Sequence, residues 1–298
     1  MNNSKCGFVA IVGEPNSGKS TLVNAIVGEK ISIVSPKAQT TRRQIRGIAQ
    51  YEDEQIIFVD TPGFFRARTS LEKVLVRNFR HSYEDSDIIL VMVDATSSFL
   101  SMTFSFIEKL ESIEVESKQK IIVAINKVDK AKKDNILKIA KKLSDYKFIN
   151  EVFMISALNN DGVQSVVNYL KNNIPDGPFL YETDRKTDMD MVFRLAEITR
   201  ENVYKILSEE LPYSIYIETE LFKETDKKVR IFQAIVVMRD SQKGIVIGAK
   251  GERIKRIKDL SIRDMKELLN KKVELRLFVK VKEKWADSKT HLQNAGIL

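Results

Sequence analysis

The chain has 298 residues, 43% of them hydrophobic and 30% charged, a balance that describes a soluble globular protein of two ordinary domains and excludes a disordered one. Its one cysteine, Cys6, excludes an internal disulfide and fits a reducing compartment, and no apolar run approaches the ~18 residues of a membrane span. The net charge of +8 is unevenly placed: residues 239–298 hold 16 Lys and Arg against 8 Asp and Glu, while the rest of the chain balances at 33 of each. That asymmetry points to a phosphate-rich partner, nucleic acid or an anionic membrane surface, with a solvated basic face as the plain alternative. The opening MNNSKCGFVAIVG carries one basic residue before a short apolar run, so no signal peptide is expected.

Residues 8–21 read FVAIVGEPNSGKST, a strand-like run followed by the spacing G-x-x-x-x-G-K-S. Glycines at 13 and 18 let successive backbone N–H groups turn inward around phosphates. Lys19 would reach the β- and γ-phosphates, the Ser20 hydroxyl would bind Mg²⁺, and a helix opening at Lys19 would point its positive end at the same place. The loop residues Gly13, Glu14, Pro15, Asn16, Ser17, Gly18, Lys19, Ser20 and Thr21 are therefore expected to line a nucleoside triphosphate.

Five short, β-branched apolar runs recur, at 8–13, 56–60, 88–94, 120–126 and 151–156, with helix-compatible stretches near 19–28, 71–82, 102–113, 133–145 and 162–173. That alternation predicts an α/β fold with a mainly parallel sheet and a ligand at the strands' carboxyl ends. Asp60-Thr61-Pro62-Gly63 follows the second run; its carboxylate is placed to hold Mg²⁺ with Ser20, and the Gly63 amide to sense a γ-phosphate. Asn126-Lys127-Val128-Asp129 follows the fourth. Asp129 can accept from guanine N1–H and N2–H₂, whereas adenine offers it an acceptor, so a buried carboxylate there selects guanine. Asn126 would tie this loop to the phosphate loop, the Lys127 stem would cover the base, and the Ala157 amide of Ser156-Ala157 would face guanine O6. In a GTPase the interval 35–47, SPKAQTTRRQIRG, carries a mobile loop whose threonine closes over Mg²⁺ and γ-phosphate; Thr41 is the first choice and Thr40 the second. Arg42, Arg43 and Arg46 are either solvated or in contact with RNA.

NNIPDGPFLYETDRKTD (172–188) has the composition of a boundary. Beyond it, 191–210 has helical spacing that stops at Pro212, and 214–222 and 229–239 read as strands. Then comes GIVIGAKGERIKRIK, in which Gly248-Ala249-Lys250-Gly251 opens a basic amphipathic helix. Such a G-x-x-G loop in KH domains clamps the backbone of about four single-stranded nucleotides. Lys250, Arg253 and Lys255 would supply charge, and a last strand, 271–285, alternates apolar and basic residues. The order of elements resembles a type II KH domain. His81 and His291 lack metal-ligand spacing, and Trp285 reads as a domain anchor.

GEPNSGKST, DTPG, NKVD and SA match the motifs of translation-factor-class GTPases, and QTTRRQIRG before DTPG, together with WADSKTHLQNAGI near the end, resembles the Era family of bacterial GTPases. The resemblance spans almost the whole chain. It implies a GTP-binding domain at 1–175, a linker at 176–188 and a KH domain with a basic tail at 189–298. It further implies a cytoplasmic GTPase, in part peripheral to the inner face of the membrane, that binds GTP or GDP and the 3′ end of 16S ribosomal RNA and promotes 30S assembly; the oligomeric state is left open by the sequence, with a monomer as the default. Lys19, Thr41 and Gly63 would carry catalysis, with Mg²⁺ on Ser20, Thr41 and Asp60. Phe64 stands where Ras-like proteins place a water-orienting glutamine, an exchange that Era-like GTPases share, so slow intrinsic turnover is expected. In related potassium-activated GTPases the asparagine at the position of Asn16 helps bind K⁺. Two rival readings are a membrane-surface signalling GTPase, which needs no glycine clamp, and a P-loop ATPase or kinase, which NKVD disfavours. Replacing Asp129→Asn should shift preference from guanosine to xanthosine nucleotides; competition binding with GTP and XTP reads this directly, and unchanged GTP selectivity would remove the base assignment.

Overall fold

The computed structural model describes residues 4–34, 45–60, 85–117 (backbone alone at 112–117), 119–207 and 215–283, with Leu211, Trp285, Ser288 and Leu292. Thr40 to Arg43, Thr61 to Phe64, the helix expected at 71–82, His81 and His291 lie outside these residues. Two compact units divide between Asp188 and Met189.

In the first unit, β1 (Lys5–Gly13), β3 (Glu54–Asp60), β4 (Ile88–Asp94), β5 (Lys120–Asn126) and β6 (Ile149–Ile155) run parallel, and β2 (Ile45–Gln50) adds an antiparallel edge, in the order β2-β3-β1-β4-β5-β6. The continuous Ile/Val runs of β1, β4 and β5 are buried on both faces, which is why they lack polar alternation. On one face, Phe104, Ile107 and Leu110 of α2 (Ser101–Ser117) and Ile139 and Leu143 of α3 (Lys133–Leu143) pack on Ile89, Val91, Ile121 and Val123. On the other lie α1 (Lys19–Val27) and α4 (Val163–Asn173), the latter burying Val163, Val166, Val167 and Leu170 at helical spacing. The described sheet and helices are the α/β fold expected.

The strand β2 was not among the expected runs. Arg46 and Gly47 interrupt its apolar pattern, yet Gly47 is needed: a Cβ there would come within 2.7 Å of Val23 and 2.6 Å of Ile31 in the layer formed by α1 and the turn after it.

Residues 176–188, expected to be a linker, are hydrogen-bonded to the first unit. Gln55, fully buried, accepts at Oε1 from the N–H groups of Leu180 (2.9 Å) and Tyr181 (3.0 Å) and donates from Nε2 to Tyr181 O and Gln50 Oε1 (both 2.8 Å). The buried Cys6 thiol also donates to Gln55 Oε1, and burial raises its pKa. Further along, Ile48 N donates to Lys186 O, Thr187 Oγ1 donates to Arg46 O (each 2.8 Å), and the Arg46 guanidinium faces Asp188.

The second unit places α5 (Met191–Ile206), N-capped by Asp190, with α6 (Asp240–Ile247) and α7 (Glu252–Leu269) on one face of a three-stranded sheet. Its order is β7 (Tyr216–Glu224), β8 (Lys228–Val237), β9 (Lys272–Val281), with β7 and β8 antiparallel and β8 and β9 parallel. The Ile-Val-Ile run before the glycine loop is helical, in α6, where Val246 alone is buried. Trp285 is fully buried with its ring 4.8 Å from that of Tyr216, an anchor rather than an exposed stacking surface. No helix among the described residues is long and apolar enough to cross a membrane.

Gln55→Leu keeps the volume but leaves the Leu180 and Tyr181 amides without their acceptor. A loss of about 1–3 kcal/mol in denaturant unfolding of the first unit, with faster proteolysis within 176–188, is expected; unchanged stability and cleavage would show that these bonds do not hold the segment.

Candidate functional site

The carboxyl ends of β1, β3, β4 and β5 deliver the polar residues of the first unit to one rim. Gly13 ends β1, and the loop from Glu14 to Gly18 leads into α1, whose N-cap, Gly18, is left-handed (φ 101°) and offers no side-chain cap. The first amides of α1 are thus left to face the loop. Asn16, at the exposed tip, is also left-handed (φ 66°), and Pro15 precedes it. Ser17 N closes the turn on Glu14 O at 3.2 Å.

Lys19 is buried, and its ammonium donates to Gly13 O (3.0 Å) and Glu14 O (2.9 Å), so the loop's own carbonyls hold it across the concave side. Burial lowers its pKa to about 8 against the opposing pull of Asp60 and Glu14. Ser20 Oγ donates to Asp60 Oδ2 at 2.7 Å, which joins the two oxygens expected to share a metal although forty positions separate them. Thr21 is half-buried in the first turn of α1. The Glu14 carboxylate turns away from the loop: it accepts from Thr103 N (3.0 Å) and Thr103 Oγ1 (2.5 Å) in the first turn of α2. Of Glu14, only the carbonyl faces Lys19, a division that its place in the motif does not reveal.

Asn126 is the junction of the rim. Its Nδ2 donates to Ser17 O (2.8 Å) and its Oδ1 accepts from Ala157 N (2.9 Å), with the side chain buried. Gly18 makes room for it, since a Cβ at 18 would collide with Asn126 Nδ2. The Ala157 amide, expected at guanine O6, donates here to Asn126 Oδ1. Ser156 pairs its backbone with Asp161, fixing the same turn. Lys127 is left-handed (φ 65°), and its ammonium pairs with Asp94 Oδ2 at 2.6 Å. Asp94, at the end of β4, received no role from the sequence; its position beside Asn126 in the strand register is the signal that marks it. Val128 N donates to Ile155 O, and Asp129 is exposed.

In the second unit, Gly248 (φ 73°), Lys250 (φ 48°) and Gly251 (φ 78°) are all left-handed, which bends the chain sharply between α6 and α7. A Cβ on Gly248 would meet the Arg253 stem at 2.7 Å, whereas the space over Gly251 is open to 4 Å. Ala249, Lys250 and Lys255 are exposed beside the N-terminus of α7. Arg253 was expected to supply charge alone; its Nη1 also donates to Ile245 O (3.0 Å), closing the end of α6 and underpinning Gly248.

Together these features define a P-loop nucleotide-binding domain followed by a type II KH domain. The family model described as "50S ribosome-binding GTPase" matches residues 8–127, and that described as "KH domain" matches residues 210–286. The chain belongs to the Era family of GTPases: GTPase Era of Agrobacterium fabrum is 41% identical over 295 residues, covering 99% of this chain and 92% of its own, and that of Brucella suis is 42% identical, covering 99% and 94%. Two solved Era structures superpose with a TM-score of 0.91 at 34% identity. One, from Aquifex aeolicus, is a tyrosine-to-alanine variant bound to GDP and AlF4⁻, covering 98% of this chain and 99% of that one; the other holds MgGDPNP and nucleotides 1506–1542 of 16S ribosomal RNA, covering 99% of each.

Lys19 predicts a pH signature. With a pKa of about 8 it is mostly neutral at pH 8.5, and phosphate oxygens at its ammonium favour the protonated form. GTP binding at pH 8.5 should take up most of a proton, falling toward zero at pH 6.5 as far as this lysine is concerned. Calorimetry in two buffers of different ionisation enthalpy measures it; no uptake at pH 8.5 would contradict the burial effect.

Proposed function

We propose that this chain hydrolyses GTP slowly and uses the bound nucleotide to control a KH surface that takes the single-stranded 3′ end of 16S ribosomal RNA during assembly of the 30S subunit. The observation that carries the nucleotide half is the rim assembled through Asn126, which joins the phosphate loop to the NKVD and Ser156-Ala157 turns. Lys19, Ser17, Gly18 and the first amides of α1 would hold the phosphates, and Lys127 and Asp129 the guanine. Ser20 and Asp60 fit Mg²⁺ because two hard oxygens already lie 2.7 Å apart beside the loop. Thr41 completes that set in the proposal. When bound, Mg²⁺ supplies charge neutralisation on the β- and γ-phosphates. The Lys19 ammonium and the backbone amides stabilise charge that builds on the leaving phosphate, with Gly63 at the γ-phosphate. Phe64 supplies no group to orient water, which supports slow turnover.

For the RNA half, the open space over Gly251 and the exposed Lys250 and Lys255 support close approach of a sugar-phosphate backbone. Likeness to the Era structure that holds 16S RNA nucleotides supports the choice of ligand. K⁺ at Asn16, a monomeric state, a cytoplasmic location and a peripheral fraction on anionic membrane extend the proposal; sedimentation with anionic vesicles, with and without RNA competitor, tests the last.

The first test is binding of a 16S 3′-end RNA and a scrambled control at one fixed salt concentration, with the protein loaded with GDP or a non-hydrolysable GTP analogue. Tighter, sequence-preferring binding with the analogue is expected, and equal affinity in both nucleotide states would remove the switch. Gly251→Asp puts a charged side chain at a left-handed position facing the RNA backbone and should weaken RNA binding roughly tenfold while GTP affinity holds.

A further inference from the structure

The outer face of the second sheet, opposite its helices, carries a pattern that the glycine loop does not account for. In the parallel register of β8 and β9, Arg230 lies beside Glu274 and Phe232 beside Arg276. The four side chains form a square two residues long and two strands wide, roughly 7 Å by 5 Å, about the footprint of one base. They line, with Leu275, a shallow hollow of about 320 Å³. The Arg276 guanidinium sits 4.9 Å from the centre of the Phe232 ring, and among the described residues no carboxylate pairs with it. The next pair in the register, Ala234 and Phe278, continues the stripe, with Lys280 Nζ 5.5 Å from the Phe278 ring. Toward the far end Tyr216 lies under Trp285, so the open part of the face is the end bearing Arg230 and Phe232.

A half-buried ring under an exposed guanidinium is a stacking platform for a base, and a purely electrostatic surface would not need the ring. The carboxylate gives the hollow its selectivity. Lys228 Nζ and Arg230 Nε each donate to Glu274 at 3.2 Å and hold its carboxyl below the usual carboxylate range, so it remains an acceptor. A base must therefore offer N–H donors to Glu274 and acceptors to Arg230. Guanine offers both, through N1–H and N2–H₂ and through O6 and N7; adenine and uracil do not offer the same set.

We propose that this hollow is a second RNA contact, taking one unpaired guanine between the Arg230–Glu274 pair and the Phe232–Arg276 stack. The proposal rests on the reading that the chain binds single-stranded RNA. The glycine loop belongs to the helix layer on the other face of the sheet and its clamp takes about four nucleotides, so a four-nucleotide segment held there has none left for the hollow and a longer strand is needed to reach it.

The test uses the full-length protein and two RNAs: a four-nucleotide segment that the glycine loop can hold, and a 12-nucleotide strand that extends it and carries one guanosine in the extension. Arg276→Gln and Phe232→Leu should weaken the 12-mer about tenfold and leave the 4-mer unchanged, with thermal unfolding unmoved for Arg276→Gln, whose side chain is exposed. Glu274→Gln should erase the preference for guanosine over adenosine in the extension. Gly251→Asp acts on the 4-mer, so failure of the clamp and failure of the hollow are separately visible. Equal 12-mer affinity in wild type and Arg276→Gln, or indifference to guanosine against adenosine in the wild type, would overturn the proposal. As an independent readout, a 12-mer with 6-thioguanosine in the extension should crosslink to residues 230–232 or 274–276; crosslinks confined to residues 248–255 would count against it.

Discussion

Asn126 fixes the geometry on which the first unit's site depends. One amide side chain spans the phosphate loop and the turn after β6, donating to Ser17 and accepting from Ala157, and it is buried while doing so. Neither bond can be traded for water at that depth, so loss of one partner would leave a polar group stranded. The constraint reaches back to the sequence: position 18 has to be glycine both for its left-handed backbone and because any Cβ would occupy the place of the Asn126 amide. The last glycine of the phosphate motif thus serves two loops at once.

The remaining polar contacts of the rim are subordinate to that junction. Ser20 meets Asp60 because α1 starts where β1 ends and β3 lies beside β1 in the sheet. Lys127 is laid across the rim by Asp94, and Glu14 steadies α2 through Thr103. Parallel strands put all these carboxyl ends on one side, and short loops then place side chains from distant parts of the chain within hydrogen-bonding reach.

Much of this was legible in the sequence, for reasons that the structure makes plain. The runs that became β1, β3, β4 and β5 are buried on both faces, so their apolar signal is continuous. The motif residues sit where a strand stops, and a strand end is visible as the point where the apolar run breaks. What escaped has equally definite causes. The apolar pattern of β2 is broken by Arg46 and by Gly47, which packing against α1 requires. The helix α6 is short, carries Gly244 and buries only Val246, so its residues show no helical apolar spacing. The roles of Asp94, Glu14 and the Ala157 amide depend on partners 33, 89 and 31 positions away, which spacing alone cannot supply. In the second unit the alternation of β9 was visible, but pairing Arg276 with Phe232 needs the parallel register with β8.

The segment 176–188 has a consequence for solubility. β2 ends one side of the six-stranded sheet, and an open strand of that kind is a template on which a second molecule can add its own strand. Here the chain's own backbone takes part of that place: Lys186 O accepts from Ile48 N, and Thr187 bridges to Gly47. The opposite border, β6, carries an exposed carboxylate, Glu151. Even a stretch with the look of a mere tether, rich in proline, glycine and charge, therefore occupies part of a sheet border on which another strand could add.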